Sequence, residues 1–502
     1  MSVDTEFKPS AVSKINGQDA GSFLQSQSLL NNNNDPDAAY NVLFYSPAFA
    51  AQAAGAGVAW KGYFGGSGVS TLIYPGPDTT LMFDNGTSWT VKNFARVSNF
   101  TGITDGESMY QKFCTGPTVV AQTTPVPISP MSNSTIPSMD PNTTSLTTPS
   151  VTTAPATPSP LVAGYPKPII VTSDSDASGY YLANSNVAVL TFRSFEPDNP
   201  AEWQMATQKF LAAAKADGKT KLIVDLQSNG GGVIFTGYDT FRQLFPQIVQ
   251  DGNTRFRNTE PFQELAVDVN MALPPGFDPK TSDNITLIQL STTVTNFEFD
   301  LDINNKSFMS VEAKFAKNTF LGDVFTPIIR WDTDSPLITR NATFGVGMDI
   351  TGYQSRQNFT QPFAAEDIVI IQDGFCASTC TIFSEFMRTQ AGVKTIAMGG
   401  RTPQAGSLQV PIIQGVGGTR GPNNFAFDFV VELSRLTLDV LRDYGLTAMN
   451  ETLLRSLANT LPSKRSMSAS VNIRDNILKD NLDDGESRFP RWRRVAVCYN
   501  DT

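Results

Sequence analysis

The sequence predicts an α/β protein, a largely parallel sheet with helices packed on it, preceded by a smaller β-rich module. Three observations predict this. Beyond residue 169, apolar runs of strand length alternate with amphipathic runs of helix length, the rhythm of consecutive βαβ units. From Pro117 to Pro168 the chain is Pro, Ser and Thr with almost no charged or aromatic residue. Such a stretch has too little apolar surface to form a core and divides two units as an extended linker, open to O-glycosylation. Ahead of it, short strand-like runs flank Asn-Gly turns, the strongest short-range hairpin signal.

In the first unit, "AVSKINGQDAGSFLQ" reads as a strand, a turn at Asn16-Gly17 and a helix, and "STLIYP" and "TTLMFDNGTSWTV" read as further strands. A strand leading through Asn-Gly into a helix recurs in PDZ-like domains, which bind peptides by adding a strand to a sheet edge. A generic β-rich module fits the same residues. In the second unit, "VAVLTF" (187–192), "KLIVDL" (221–226), "DIVIIQ" (367–372) and "KTIAMG" (394–399) are buried-strand runs. Between them, "AEWQMATQKFLAAAKADG" is helical and stops at Gly218, "GYDTFRQLF" is helical, and the run after Ser378 places Ile382, Phe383, Phe386 and Met387 on one helix face. Residues 255–365 carry strand-like pieces without a regular rhythm and receive no assignment. The expected division is 1–116 module, 117–168 linker, 169–460 core and 461–502 C-terminal extension.

Composition narrows the function classes. The formal net charge of −10, with basic residues clustered only at Arg491, Arg493 and Arg494, offers no positive field for phosphates, so nucleic acid is not an expected partner. No apolar run reaches the roughly 20 residues needed to span a bilayer, and no membrane partner is expected. "MSVDTEFKPS" lacks the basic start and apolar centre of a secretory signal. Nine Asn-x-Ser/Thr sequons, at Asn85, Asn99, Asn133, Asn142, Asn284, Asn305, Asn341, Asn358 and Asn450, suit a glycoprotein. With 4 cysteines and no histidine, no metal or other cofactor is expected. Cys376–Cys380 and Cys114–Cys498 can each form a disulfide in an oxidising compartment, or the four can be buried thiols.

Two turns carry the chemical interest. Asn229-Gly230-Gly231-Gly232 follows a strand, and consecutive glycines let backbone N–H groups approach a ligand closely and point at an anion. "CASTC" places Ser378 between a strand and a helix, where an acyl oxyanion would meet the Thr379 N–H and the positive end of the helix dipole. Each turn alone also has a plain structural reading: a tight turn for the glycines, and for Ser378 the role of helix N-cap.

Together the turns are more specific. "LIVDLQSNGGG", followed about 150 residues later by "CASTCTIF" and then "GVKTIAMGGRTPQAG", resembles the S41 peptidase family of tail-specific and C-terminal processing proteases. The likeness is greatest to the fungal secreted branch related to chlamydial protease-like activity factor. "INGQDAGSFL", "DPDAAYN", "YPGP", "FDNGT", the linker, "GYPKPII", "GYYL", "LFPQ" and "GVGGTRG" extend it over most of the chain. The resemblance implies a ClpP/crotonase-like β/α core behind a PDZ-like module, polypeptide substrates bound extended, and secretion. It implies Ser378 as the nucleophile, with backbone N–H groups of Thr379 and of the Gly230–Gly232 turn, Gly231 and Gly232, as the oxyanion hole. Fungal relatives of this branch occur beside genes for ribosomally made peptide toxins of the ustiloxin and phomopsin kind, which implies precursor processing.

The sequence departs from the family pattern at the general base. The tail-specific branch has a lysine in the segment comparable to "GGRTPQAGS"; here there is none, and Lys394 lies too early, at the start of its strand. The chlamydial-type branch takes a histidine from upstream of the PDZ-like segment, inside which this sequence begins. Glu385 is seven residues past Ser378, about two helical turns away. Cys376 and Cys380 have no evident basic neighbour. At the other end, "ESRFPRWRRVAVCYNDT" keeps only Cys498 of the family's closing pattern, so both ends read as cut or altered. The two expectations are therefore an active serine peptidase whose base is unassigned and a peptidase-like peptide-binding protein without turnover.

Overall fold

The computed structural model describes residues 10–30, 36–48, 50, 76–93, 100–113, 165–320, 322–401, 427–459 and 474–477. Both N-terminal hairpin signals hold. Strands β1 (Val12–Ile15) and β2 (Gln18–Asp19) pair antiparallel around Asn16 and Gly17. Both turn residues have positive φ, 52° and 81°, as a two-residue hairpin turn of this hand requires. Asp19 then caps α1 (Ala20–Ser28), accepting the Ser22 N–H at 2.8 Å. After α2 (Pro36–Asn41), β3 (Asp78–Phe83) and β4 (Ser88–Lys92) complete a four-stranded antiparallel sheet in the order β2-β1-β3-β4, and α3 (Gly106–Phe113) follows. "STLIYP" and most of the linker lie outside the described residues.

The second unit opens with β5 (Ile170–Val171), β6 (Ala177–Tyr181) and β7 (Val187–Phe192). Helix α4 (Pro200–Ala216) is well specified locally: Asn199 accepts the Glu202 N–H, Pro200 opens the first turn, and Gly218 ends the helix at φ 70°. Then come β8 (Lys221–Asp225) and α5 (Ile234–Leu244). The stretch without assignment holds β9 (Asn253–Phe256), α6 (Glu260–Ala272), α7 (Ile285–Ser291), β10 (Leu301–Asp302), α8 (Val311–Lys314), β11 (Asn318–Phe320), β12 (Asp323–Phe325) and β13 (Ile329–Arg330). Last are β14 (Ile368–Gln372), α9 (Thr379–Glu385), β15 (Lys394–Ala397), α10 (Phe427–Asp443), α11 (Glu451–Asn459) and β16 (Arg474–Ile477).

The main sheet has six strands in the order β15-β14-β8-β7-β6-β5; β7, β8, β14 and β15 are parallel, and β5 and β6 run antiparallel on one edge. One face of it is the core. Ala188, Leu190 and Phe192 of β7 and Leu222 and Val224 of β8 alternate inward onto Trp203 and Phe210 of α4, Phe241 of α5 and Phe383 of α9. Phe192 stacks on Trp203 with ring centroids 4.7 Å apart. The same period-two burial that makes these runs strands therefore clamps α4, α5 and α9 to the sheet. A separate four-stranded sheet, β10-β13-β9-β16, is antiparallel. Among the described residues no helix is long and apolar enough to cross a membrane.

Candidate active site

Both turns leave the C-terminal ends of adjacent parallel strands, β8 and β14, the position where open α/β sheets gather ligand-binding and catalytic groups. Ser378 occupies the N-cap position of α9 at φ 51°, ψ −123°, and its side chain makes no capping hydrogen bond. Capping, the commoner role for serine there, needs Oγ to accept an amide of the first turn; this serine does not perform it. A non-glycine residue in such a region costs about 1–3 kcal/mol and persists only where its surroundings over-determine it.

Those surroundings are the glycine turn. Gly231, at φ 96°, lies so close that a Cβ there would stand 2.5 Å from the Ala377 carbonyl oxygen, 2.6 Å from Ser378 Cβ and 2.9 Å from the Thr379 nitrogen. The turns are also bonded together: the Ala377 N–H donates to the Asn229 carbonyl (3.3 Å) and the Thr379 hydroxyl to the Gly232 carbonyl (2.6 Å). Asn229, fully buried, anchors its own turn by donating from Nδ2 to the Phe192 carbonyl at 2.9 Å.

The amides divide by what they bond. The Gly231 N–H, an expected oxyanion donor, gives its hydrogen to Asn229 Oδ1 at 2.8 Å, so this amide is engaged and Gly231 contributes its missing side chain instead. The Gly231 carbonyl accepts the Phe195 N–H at 2.8 Å on the β7 side. The Thr379 N–H opens α9 and has no intrahelical partner. Among the described residues neither the Gly232 nor the Thr379 N–H has a hydrogen-bond acceptor, in contrast to the Gly231 N–H.

The other candidates lie elsewhere. Lys394 is the exposed first residue of β15, paired with Val369, at the opposite end of the parallel strands from Ser378. Glu385 ends α9, roughly 10 Å along the helix, and burial pushes its carboxyl up to about 7 against the pull of Arg388. Cys376 and Cys380 form a disulfide that straddles Ser378, so neither serves as a thiolate, and both are fully buried. Beneath it Gln372 Nε2 donates to Ser384 Oγ at 2.5 Å. Cys114 and Cys498 lie outside the described residues.

Two buried carboxyls sit at the same strand ends without a local sequence signal. Asp225 closes β8 and is raised to about 7 by burial, with the neighbouring Asp373 adding to the rise; Asp373, just past β14, is raised to about 6, again chiefly by burial. Asp373 Oδ2 accepts the Ser228 N–H (3.0 Å) and Oδ1 the Phe375 N–H (3.1 Å), spanning from the glycine turn to the nucleophile turn. Asp176 is likewise raised to about 7 by burial. An ordinary aspartate titrates near 4, so between about pH 4 and 7 the folded chain holds more protons than the unfolded chain and loses stability as pH rises. Asp349, held low by the hydrogen bond from Arg340, acts in the opposite direction, as do the exposed Asp19, Asp105 and Glu312, against the larger upward shifts of the buried carboxyls. The melting temperature is expected to be highest near pH 4 and to fall towards pH 7, with Asp225→Asn flattening the fall; a melting temperature that rises over this range contradicts the assignment.

Comparison with known proteins gives the family. Residues 186–420 match the family described as Peptidase family S41, and residues 2–101 match the CPAF-like PDZ domain. Peptidase S41 family protein ustP of Aspergillus flavus is 30% identical over 395 residues, covering 76% of this chain and 72% of that protein. The chain belongs to the S41 peptidase family. A second S41 relative, phomP1' of Diaporthe leptostromiformis, is 28% identical over 472 residues, and the match spans 89% of this chain but 63% of that protein. Among solved structures, mature CPAF complexed with lactacystin aligns with 91% of this chain and 80% of its own at 14% identity and a TM-score of 0.33. The photosystem II D1 C-terminal processing protease aligns with 42% of this chain and 29% of its own at 10% identity and a TM-score of 0.17. The α/β core and the N-terminal PDZ-like module are those of this S41 family, as the resemblance implied.

Proposed function

We propose that this S41 chain is a serine-type endopeptidase acting through an acyl-enzyme on Ser378. The observation that carries the reading is the strained, non-capping conformation of Ser378 opposite a glycine turn that leaves it no room to relax. In the proposed reaction Ser378 Oγ attacks the scissile carbonyl carbon and the tetrahedral oxyanion is held by the Gly232 and Thr379 N–H groups. Collapse breaks the C–N bond, the proton given up by Ser378 Oγ leaves on the amine, and water hydrolyses the ester, one of its hydrogens restoring the Ser378 hydroxyl. Substrates are extended polypeptides; edge strand β4, exposed along most of its length and bearing Trp89, offers backbone groups for strand addition.

The fungal branch that the sequence resembles favours a precursor of a ribosomally synthesised mycotoxin as the substrate. The Cys376–Cys380 disulfide fits an oxidising, secretory compartment, and the exposed sequons Asn85, Asn284, Asn305 and Asn358 fit glycosylation there. Timed mass spectrometry of the folded chain with an extended peptide library is expected to give new termini that accumulate with time and are absent with Ser378→Ala.

A second reading, a peptide-binding protein without turnover, is favoured by the lack of any histidine and by Lys394 lying at the wrong end of the sheet. It predicts that library peptides are retained with measurable affinity and recovered intact. New termini in the parent chain alone exclude it.

A further inference from the structure

The C-terminal ends of β14 and β15, on which the nucleophile turn is built, are held by a helix from the other end of the chain. Asn41, the last residue of α2, donates from Nδ2 to the Asp373 carbonyl at 2.7 Å and to the Met398 carbonyl at 3.1 Å, while its Oδ1 accepts the Gly400 N–H at 2.6 Å. All three polar positions of one short amide are therefore used on two adjacent strand ends. One helical turn earlier, Asp37 is 4% exposed and its Oδ1 accepts both the Arg401 N–H (2.9 Å) and Arg401 Nε (2.8 Å). Gly399, at φ 78°, is required: a Cβ there would run into the Asn41 amide. Ala38 and Ala39 between the two polar residues are buried, which lets the helix backbone sit close.

The residue that Asn41 grips is the one that joins the two functional turns. Its backbone carbonyl is fixed by Asn41, and its carboxylate accepts the Ser228 and Phe375 N–H groups, one on the way into each turn. A shift of the Asp373 backbone moves the Ser228 and Phe375 bonds together. With Ser378 held in a strained conformation by contacts with Gly231, small displacements there have large consequences for attack geometry. We infer that Asn41, with Asp37 behind it, is a positioning residue for the nucleophile: α2 of the N-terminal module locks the ends of β14 and β15 through Asp373 and so sets the register of Ser378 against the Gly232 and Thr379 amides. The inference deepens the serine-peptidase reading and rests on it for its kinetic part; its structural part stands alone.

The test uses the full chain and Asn41→Ala, with Arg401→Ala as a gentler second variant, since that side chain is 41% exposed and lies at the rim. Hydrogen–deuterium exchange of the peptides covering 226–233 and 373–380 is expected to accelerate in Asn41→Ala and less so in Arg401→Ala, with α4 unchanged. With a fluorophosphonate probe, the maximal labelling rate is expected to fall by about tenfold or more while the half-saturating probe concentration stays constant. Exchange in both turns that matches the parent chain overturns the inference. So does exchange that rises equally in α4, because Asn41 is then a general stability residue. If the parent chain takes no label, the peptidase reading falls, and the exchange measurement alone decides whether the clamp exists.

Discussion

Gly231→Ala is expected to lower nucleophile reactivity by about 100-fold, while Gly230→Ala, one residue away, leaves it nearly unchanged. At position 231 the added methyl would stand 2.5 Å from the Ala377 carbonyl oxygen and 2.6 Å from Ser378 Cβ. Carbon atoms in contact normally keep about 3.5–4.0 Å, so one of the two turns must move by about 1 Å. The φ of 96° adds strain, since side chains are excluded there at a cost of about 1–3 kcal/mol. A displacement of that size at a reacting centre costs about 100-fold in rate. At position 230 the nearest atom to a new methyl is Phe375 Cε1 at 3.6 Å, an ordinary contact. Gly230→Ala should therefore label within about twofold of the parent, as expected of a change worth about 0.5 kcal/mol. Equal reactivity of the two variants would show that close approach of the turns does not matter.

The parts of this protein that could be read from its sequence are those whose information is local. "VAVLTF" and "DIVIIQ" are continuous apolar runs because both faces of a parallel strand are at least half covered, and they became β7 and β14. Helix α4 declares itself through Asn199, Pro200 and Gly218, all at or just beyond its ends. The 255–365 stretch did not, because its strands are two to four residues long, and β9, which enters it from Asn253, buries the polar side chains of Asn253, Thr254 and Arg255, so alternation of apolar residues has nothing to act on. Helix α6 is an exception within it: Pro261 at the start and the Pro274-Pro275 pair after Leu273 mark its ends and were available as signals.

The site divides in the same way. Residue types and order point to Ser378 and the glycines, but whether Ser378 caps its helix is a question of backbone angle, and serine suits both answers. That the Gly231 amide is engaged depends on Asn229, whose side chain turns back on Gly231. The i, i+4 cysteines could be thiols or a disulfide until the turn between them was known to be tight. Asn41 and Asp373 are 332 residues apart, and no local pattern in "DPDAAYN" announces a partner at that distance.

The second large effect is the loss of Ser378 itself. The backbone strain falls on this one residue, and a substitution that removes Oγ while keeping Cβ leaves the packing against Gly231 in place. Ser378→Ala is therefore expected to fold and melt within a few degrees of the parent, to keep its peptide affinity, and to lose all covalent chemistry. The most direct measurement is intact-mass analysis of the folded parent chain after incubation with a fluorophosphonate, followed by peptide mapping. A single adduct on the peptide containing Ser378, absent from Ser378→Ala, is the result the proposed mechanism predicts; no adduct on a folded chain, or an adduct that persists in Ser378→Ala, contradicts it.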